Sequence, residues 1–214
     1  MVGNIKWINV DKTTGTGSSN PTIVNITVSP TTGRNSRSGT INVTGNTDID
    51  TFTRTVTITQ NGLGLSLSVD NSEIDISNSD TQVEITGISN SKNLGISCID
   101  GLDETPNNIR FFVDDLDITD VHKDVGYIPG DPGSTAQYRF KYIIPIPSNP
   151  NTTQRRLIVF QIDAADGDNT IQKTINVNQG TNYVLSIYPT SLTFGASGGT
   201  QSISINSNTT WEIS

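Results

Sequence analysis

Apolar residues occupy alternate positions in a series of short runs, with polar residues between them. Successive side chains of a β-strand point to opposite faces of a sheet, so this period of two predicts strands with one face on a core and the other in water. No segment shows a sustained helical period. The runs begin at Val24, Ile41, Val56, Leu65, Ile74, Val83, Tyr138, Ile158, Ile175 and Ile203.

Clusters of small and turn-forming residues separate these runs, at residues 14–17, 30–33, 166–169 and 197–199. Gly, Asn, Asp and Pro favour turns because they adopt or preset the backbone angles that a turn requires. Short strands at this spacing are typical of two-layer sandwiches. The predicted fold class is therefore all-β, built of tandem immunoglobulin-like β-sandwiches.

One stretch of the sequence occurs twice. Residues 55–62 read TVTITQNG and residues 174–180 read TINVNQG, and a Leu-Ser-hydrophobic run follows each of them, at Leu67 and at Leu185. The period, about 118 residues, is that of a whole domain rather than of a solenoid unit. The arginine that precedes the first stretch, Arg37, has its counterpart in Arg155 or Arg156.

The repeat predicts three parts, with boundaries after Gly62 and Gly180. Residues 63–180 form a complete central module. Residues 1–62, the N-terminal half-module, begin in mid-domain, and residues 181–214, the C-terminal half-module, stop in mid-domain. Placed tail before head, the two halves make one module in which little or nothing is missing. Because half a sandwich cannot bury its core, we expect another segment to complete each half.

Three motifs carry a resemblance to a known family: LSIYPTSLTFGASGGTQSISINSNTTWEIS at 185–214, WINVDKTTGTG at 7–17, and SRSGTINV with TVTITQNG at 36–43 and 55–62. Together they resemble the BACON domain, an immunoglobulin-like β-sandwich common in Bacteroidetes and in their gut (crAss-like) phages. The central module shares the ending IQKTINVNQG. It lacks the tryptophans and carries an insertion, DVHKDVGYIPGDPGSTAQ at 120–137, so it is a divergent relative.

The resemblance implies a non-enzymatic role and no cofactor. Many members of the family look like spacers or adhesive stalks, and in gut phages they occur in virion proteins. We therefore expect an extracellular location, on a virion or on a bacterial cell surface. Contact with bacterial surface glycans is a further implication, although fold analogy does not itself establish a site.

Charge and hydropathy exclude some partners. The formal net charge is −8, so the chain repels phosphate backbones and we expect no nucleic-acid binding. No apolar run approaches the roughly 20 residues that span a bilayer, so we expect no membrane insertion. The N-terminus lacks the pattern of a classical signal peptide. A single cysteine, Cys98, excludes an intrachain disulfide.

Candidate chemistry is sparse, and we predict no catalytic residue. His122 is the one histidine and is expected in an exposed loop. Asp166 and Asp168 are candidate calcium ligands, but the stretch Asp-Gly-Asp-Asn is also an ordinary hairpin turn, and we expect no metal.

The completed module should contain apolar residues from both halves and both tryptophans. An exposed aromatic platform for a sugar ring is the alternative role of Trp7 and Trp211. The predicted core residues of the completed module are Trp7, Val24, Ile26, Val28, Ile41, Val43, Val56, Ile58, Leu192, Phe194, Ile203, Ile205 and Trp211.

The halves could pair within one chain, between chains, or be pieces cut from a longer tandem array. A sandwich of about seven strands has its termini at opposite ends. The links to the central module are too short to lead both halves to one end, which favours head-to-tail pairing of copies of this chain. The leading hypothesis is a fibre, stalk or decoration protein assembled by strand complementation. The alternative is a carbohydrate-binding module that uses Trp7 and Trp211.

Overall fold

The structure is a computed structural model that describes residues 6–151, 153–182 and 184–214. Within these residues the secondary structure is almost entirely β, which confirms the predicted class. The elements are β1 (Ile8–Val10), β2 (Ile26–Val28), β3 (Arg37–Asn46), β4 (Thr51–Gln60), β5 (Leu67–Val69), β6 (Glu73–Ile76), β7 (Gln82–Ser89), β8 (Asn93–Asp100), β9 (Arg110–Val113), β10 (Leu116–Asp117), α1 (Thr119–Val125), β11 (Tyr138–Pro145), β12 (Arg156–Asp166), β13 (Asn169–Gln179), β14 (Leu185–Tyr188) and β15 (Ser204–Ser207).

The central module is a two-layer sandwich. One sheet has the strand order β10-β9-β11-β7-β5, and the other has the order β6-β13-β12-β8. The period of two in the sequence appears as strict alternation of burial along β11 and β12. Each fully buried side chain, such as Phe160, contributes about 1.5–3 kcal/mol by leaving water. The largest side chains of this core are Tyr142, Phe111, Phe140, Phe160, Ile85, Ile144, Ile158 and Ile162.

One element differs from the sequence prediction. Residues 119–125 form a short helix, α1, within the insertion of the central module. A helix of seven residues is too brief to impose a recognisable 3.6-residue period. The predicted turn at 166–169 is confirmed, since Asp166 pairs with Asn169 around a two-residue loop in which Gly167 has a φ of 59°. Such a positive φ suits glycine, which has no Cβ to clash.

The chain enters and leaves the central module at opposite ends. At the start, the Gly64 carbonyl accepts a hydrogen bond from the Asn90 side chain (2.6 Å). The hydroxyl of the next residue, Ser91, donates to the Ala165 carbonyl (2.6 Å), so the chain enters beside the end of β12. At the finish, Gln179 pairs with Arg156, the first residue of β12. The two points are therefore separated by the length of β12, roughly 33 Å at 3.3 Å per residue.

An arginine–glutamine contact occurs in both repeats of the chain. In the central module, Arg156 Nε donates to Gln179 Oε1 (3.1 Å), and Gln179 Nε2 donates to the Pro147 carbonyl (3.1 Å). The guanidinium of Arg156 also donates to Pro147. The structure thus identifies Arg156, rather than Arg155, as the counterpart of Arg37.

The N-terminal half-module has the same contact. Arg37 Nε donates to Gln60 Oε1 (2.8 Å), and both side chains also donate to the Ser29 carbonyl (2.6 and 3.0 Å). We call each of these two arrangements the Arg–Gln latch. It joins the start of one strand of a hairpin to the end of the other and to the preceding loop.

The latches test how burial controls the strength of a polar contact. Gln179 is fully buried, whereas Gln60 is half-buried. Replacing Gln179 with Ala leaves buried donors and acceptors without partners, so we expect Gln179→Ala to lower the free energy of unfolding by about 1–3 kcal/mol. Gln60→Ala is the matched control and should cost less, because water reaches the abandoned groups. Urea unfolding followed by circular dichroism measures both; equal losses would contradict this account.

Candidate assembly interface

The N-terminal half-module consists of two separate β-ribbons. Strand β1 pairs with β2, and β3 pairs with β4 along ten residue pairs, but the two ribbons share no sheet. A groove of about 710 Å³ lies between them. Its apolar lining comes from Val10, Val24, Ile26, Ile41, Val43 and Val56.

The C-terminal half-module contains the ribbon of β14 and β15. Around it, residues 191–194 and 211–214 belong to no strand. The apolar side chains of this half that are exposed are Leu185, Ile187, Tyr188, Leu192, Phe194, Ile203, Trp211 and Ile213.

The structure does not bring the two halves together. Among the described residues, no strand pairing joins the N-terminal half-module to the C-terminal one. Of the predicted core residues of the completed module, Ile41 is buried, and Trp7, Val28, Ile58 and Ile205 are half-buried. The others are exposed: Val24, Ile26, Val43, Val56, Leu192, Phe194, Ile203 and Trp211. Two complementary apolar surfaces thus lie apart in one chain.

Arg34 fixes the N-terminal half-module to the central module. Its side chain is 4% exposed, and it forms ion pairs with Asp131 (2.6 Å) and with Asp166 (2.9 Å). Its Nη1 also donates to the Asn90 carbonyl (2.5 Å). The two carboxylates compensate the charge of this buried guanidinium, as a buried cation requires, although its Nε, which lies 2.9 Å from Asp166, makes no hydrogen bond.

The backbone around Arg34 follows the insertion of the central module. Arg34 N donates to the Gly133 carbonyl (3.0 Å), and Asn35 N donates to the Ser134 carbonyl (3.2 Å). A Cβ on Gly33 would lie 2.5 Å from the backbone of Thr135, so this approach requires glycine. The insertion that sets the central module apart from its relatives therefore holds the first joint.

Sequence reasoning missed Arg34 as a joint residue. Its partners Asp131 and Asp166 are about 100 or more positions away along the chain, and no local motif links them. Asp166, a candidate calcium ligand in the sequence, instead forms an ion pair with Arg34. In the described part of the chain, His, Cys, Asp and Glu side chains form no cluster of three or more that could hold a metal ion.

The second joint uses neutral groups. Asn182 N donates to the Asn151 carbonyl (2.9 Å), just as Leu63 N donates to the Gly33 carbonyl (2.9 Å) at the first joint. The Asn149 side chain, which is buried, donates to the carbonyls of Gly180 and Gln154 (3.0 and 2.9 Å). Each half-module is therefore attached by hydrogen bonds to its own end of the central module.

The two tryptophans have different surroundings. The Arg37 guanidinium lies 4.4 Å from the centre of the Trp7 ring, so the latch arginine covers one face of this indole. Trp211 is 52% exposed and belongs to no strand. The Arg37 guanidinium thus occupies a face of the Trp7 ring on which a sugar would stack, whereas the Trp211 ring is accessible.

His122 is not the exposed loop residue expected from the sequence; that prediction is wrong. It lies in α1, half-buried, and its ring packs against that of Phe111 in a tilted arrangement, 4.5 Å between centroids. Burial lowers the pKa of His122, while the backbone carbonyls of Tyr127 and Leu94 act in the opposite direction. The ring is therefore neutral at pH 7 and packs as part of the sandwich wall.

No helix in the described ranges is long and apolar enough to cross a membrane. Three solved structures resemble the chain at low identity: the E. coli chaperone DraB (10% identity, TM-score 0.32), the periplasmic chaperone SfaE (10%, 0.29) and Rst D1-D2 (14%, 0.33). The matches cover 55%, 54% and 60% of this chain, and the chain spans a little over half of those structures (55%, 57% and 56%).

No curated protein matches the chain. A family model does match part of it: BACON, described as a putative binding domain, N-terminal, covers residues 3–61. This segment contains β1 to β4, both members of the first Arg–Gln latch and Trp7. The resemblance predicted from the sequence is thereby confirmed, and residues 3–61 carry a BACON domain match.

Proposed function

We propose that this chain is a non-enzymatic structural protein whose copies assemble head to tail into a fibre or stalk. The C-terminal half-module of one copy and the N-terminal half-module of the next form one shared sandwich. The observation that carries this proposal is the pair of incomplete, apolar half-modules attached to opposite ends of a complete one.

The exposed apolar surface supports association. Large contiguous apolar patches on soluble proteins mark interaction sites. Eight of the predicted core residues are exposed in the single chain. Burying side chains of this size releases about 1.5–3 kcal/mol each, so the shared core gains on the order of 10 kcal/mol before the entropic cost of association.

The direction of the ends supports a linear assembly. Self-closure would require one half-module to reach past the length of β12, roughly 33 Å. The links are short, since Gly180 is hydrogen-bonded to Ile76 and Asn182 to Asn151, only a few residues before β14. Pairing between copies needs no longer link. Because the contacting surfaces differ, each added copy presents a new free end, and the assembly does not close.

This architecture and the BACON match support the proposed location and role. A chain of stiff sandwiches suits an extended appendage on a virion or on a bacterial cell surface. Contact with glycans through Trp211 is the second candidate function, and the exposure of this indole favours it. The two functions differ in one respect: the shared sandwich buries Trp211, whereas a sugar platform leaves it accessible.

Leu192→Asp tests the assembly. Leu192 is exposed in the single chain, so a carboxylate is tolerated there, and residues 181–214 contain no Lys or Arg that could pair with it. In the shared core this carboxylate would be buried without a partner. We expect wild-type protein to elute as oligomers or filaments in size-exclusion chromatography with light scattering, and Leu192→Asp to elute near 23.0 kDa. Thr193→Asp, whose side chain would point to the solvent face, is the matched control and should still assemble. A clean wild-type monomer with both indoles buried would refute pairing between chains.

Acrylamide quenching of tryptophan fluorescence separates the two candidate functions. In the shared-sandwich proposal, wild-type oligomers shield both indoles without any ligand, and Leu192→Asp restores quenching of Trp211. A glycan-binding role predicts instead an accessible indole in the wild type and protection on adding a sugar that scores on a glycan array.

The Arg34 joint should control stiffness rather than assembly. We expect Arg34→Met to leave oligomers intact but to broaden the distribution of bend angles in negative-stain electron micrographs, because Asp131 and Asp166 lose their shared cation. Arg110→Met, which removes an exposed ion pair with Asp117 in the central module, is the control. A loss of assembly in Arg34→Met alone would show that the joint does more than orient the half-module.

A further inference from the structure

We infer that the strands of the shared sandwich pair in the same order and register as the corresponding strands of the central module, which we call the template. In this arrangement residues 191–194 of one copy run parallel to β4 of the next copy, and residues 211–214 run antiparallel to its β3. The inference rests on the proposed head-to-tail assembly and adds to it the identity of the paired edges.

The C-terminal half-module repeats the start of the central module residue by residue. Leu67 pairs with Ser89 in the central module, and Leu185 pairs with Ser207 in the ribbon of β14 and β15. The next pairs correspond as well, since Val69 faces Gly87 and Ile187 faces Ile205. The strand register of one part is therefore reproduced in the other.

An asparagine side chain makes the same two hydrogen bonds in both parts. Asn90 accepts from Ser66 N (2.8 Å) and donates to the Gly64 carbonyl (2.6 Å). Asn208 accepts from Val184 N (2.8 Å) and donates to the Asn182 carbonyl (2.7 Å). The C-terminal half-module is thus folded as the first part of a sandwich even without the second.

The N-terminal half-module repeats the end of the central module. Its hairpin of β3 and β4 carries the Arg–Gln latch of the hairpin of β12 and β13, with Arg37 facing Gln60 as Arg156 faces Gln179. The two hairpins differ at their edges. The central hairpin is flanked by β6 and β8, while the hairpin of β3 and β4 has no further strand on either side in the described residues.

The strand that fills the edge of β4 follows from β6. In the central module β6 runs parallel to β13, with Glu73 facing Asn176 and Ile76 facing Gln179. Residues 191–194 (SLTF) lie as far beyond Leu185 as β6 (EIDI) lies beyond Leu67, and both have apolar second and fourth positions. Aligned on the latch glutamines, the template pairs Ser191 with Thr57, Leu192 with Ile58, Thr193 with Thr59 and Phe194 with Gln60.

The strand that fills the edge of β3 follows from β8. The sequence LGIS at 94–97 has the apolar pattern of WEIS at 211–214, with one residue fewer before it: Trp211 follows Asn208 by three positions, and Leu94 follows Asn90 by four. Leu94 faces Ala164 and Ile96 faces Ile162 in the central module. When residues are counted from Arg156 and from Arg37, Gly45 corresponds to Ala164 and Val43 corresponds to Ile162. The equivalent pairs between copies are therefore Trp211 with Gly45 and Ile213 with Val43.

A small residue occupies the same place at this edge in both parts. In the central module Ala164 lies between Leu94 and Ile171 on adjacent strands. In the shared sandwich Gly45 would lie between Trp211 and Phe52, and Phe52 is its hairpin partner already. The larger outer residues require a smaller middle residue, since a Cβ on Gly45 would lie 2.7 Å from the Phe52 ring.

A shift of register by one residue is unfavourable. It would turn Leu192 and Phe194 from the core to the solvent face, because side chains alternate along a strand. It would also place the polar Thr193 in the core. The template register keeps Leu192, Phe194, Trp211 and Ile213 on the core face, which a shift by one residue does not.

Paired cysteines test the register in a Cys98→Ser background. In the template, Asn176 donates to the Glu73 carboxylate (2.6 Å), so side chains at this pair of positions touch. Neighbouring strands lie about 4.8 Å apart, within the range that a disulfide bridges. We expect Thr57→Cys with Ser191→Cys to give a ladder of covalent oligomers after mild oxidation. Thr55→Cys with Thr193→Cys is the control: it occupies the same face but lies four residues out of register, roughly 13 Å, and should not cross-link.

Mixing single variants separates the possible outcomes. Thr57→Cys protein mixed with Ser191→Cys protein should form covalent dimers and nothing longer, which supports pairing between copies in this register. Oligomers that cross-link through the control pair and not through Thr57 and Ser191 would overturn the register while the assembly stands. A cross-linked monomer of increased mobility, or a monomer by light scattering, would overturn the head-to-tail assembly itself.

Discussion

A two-layer sandwich becomes stable only when both of its sheets are complete, because each sheet buries its apolar face against the other. The central module satisfies this condition within one chain, with β6 and β8 on the edges of its inner hairpin. The two half-modules do not satisfy it, and their apolar residues remain exposed. Every other feature of the molecule, from the position of its joints to its inferred assembly, depends on this difference.

The two joints determine the directions in which the incomplete half-modules point. Arg34 at one end and Asn149 at the other hold the half-modules on opposite sides of a sandwich whose length is set by β12. The first joint contains a buried cation, whereas the second consists of amide and carbonyl groups. A fibre built from such units would thus alternate between an ionic joint within the chain and a neutral joint beside the shared sandwich.

The sequence predicted strands well where alternation is strict and less well elsewhere. Strands β11 and β12 are long and buried on alternate residues, so their pattern is unambiguous. Strand β2 extends only over Ile26–Val28 and excludes Val24, because the groove side of this ribbon has no partner layer. The helix α1 and the burial of His122 depend on contacts with Phe111 that no local pattern encodes.

The candidate interface was predictable as a set of residues but not as a geometry. The repeat of Gln60 and Gln179 located the half-modules, yet it left Arg155 and Arg156 as equal counterparts of Arg37. The hydrogen bond from Arg156 to Gln179 removes that ambiguity and supplies a fixed point from which strand positions are counted. Arg34 could not be foreseen, since its carboxylate partners become neighbours only in the folded chain.

The distribution of charge is consistent with association of the ends. Residues 1–62 hold five Lys and Arg against three Asp, and residues 181–214 hold Glu212 as their one charged side chain. The acidic excess of the protein, a formal −8, therefore resides in the central module. In the proposed assembly a full shared sandwich would separate successive central modules, a distance well beyond the screening length of roughly 8 Å at physiological salt, so their mutual repulsion would be screened. The surfaces proposed to meet are almost neutral, so desolvation of apolar groups, and not ion pairing, would determine the affinity.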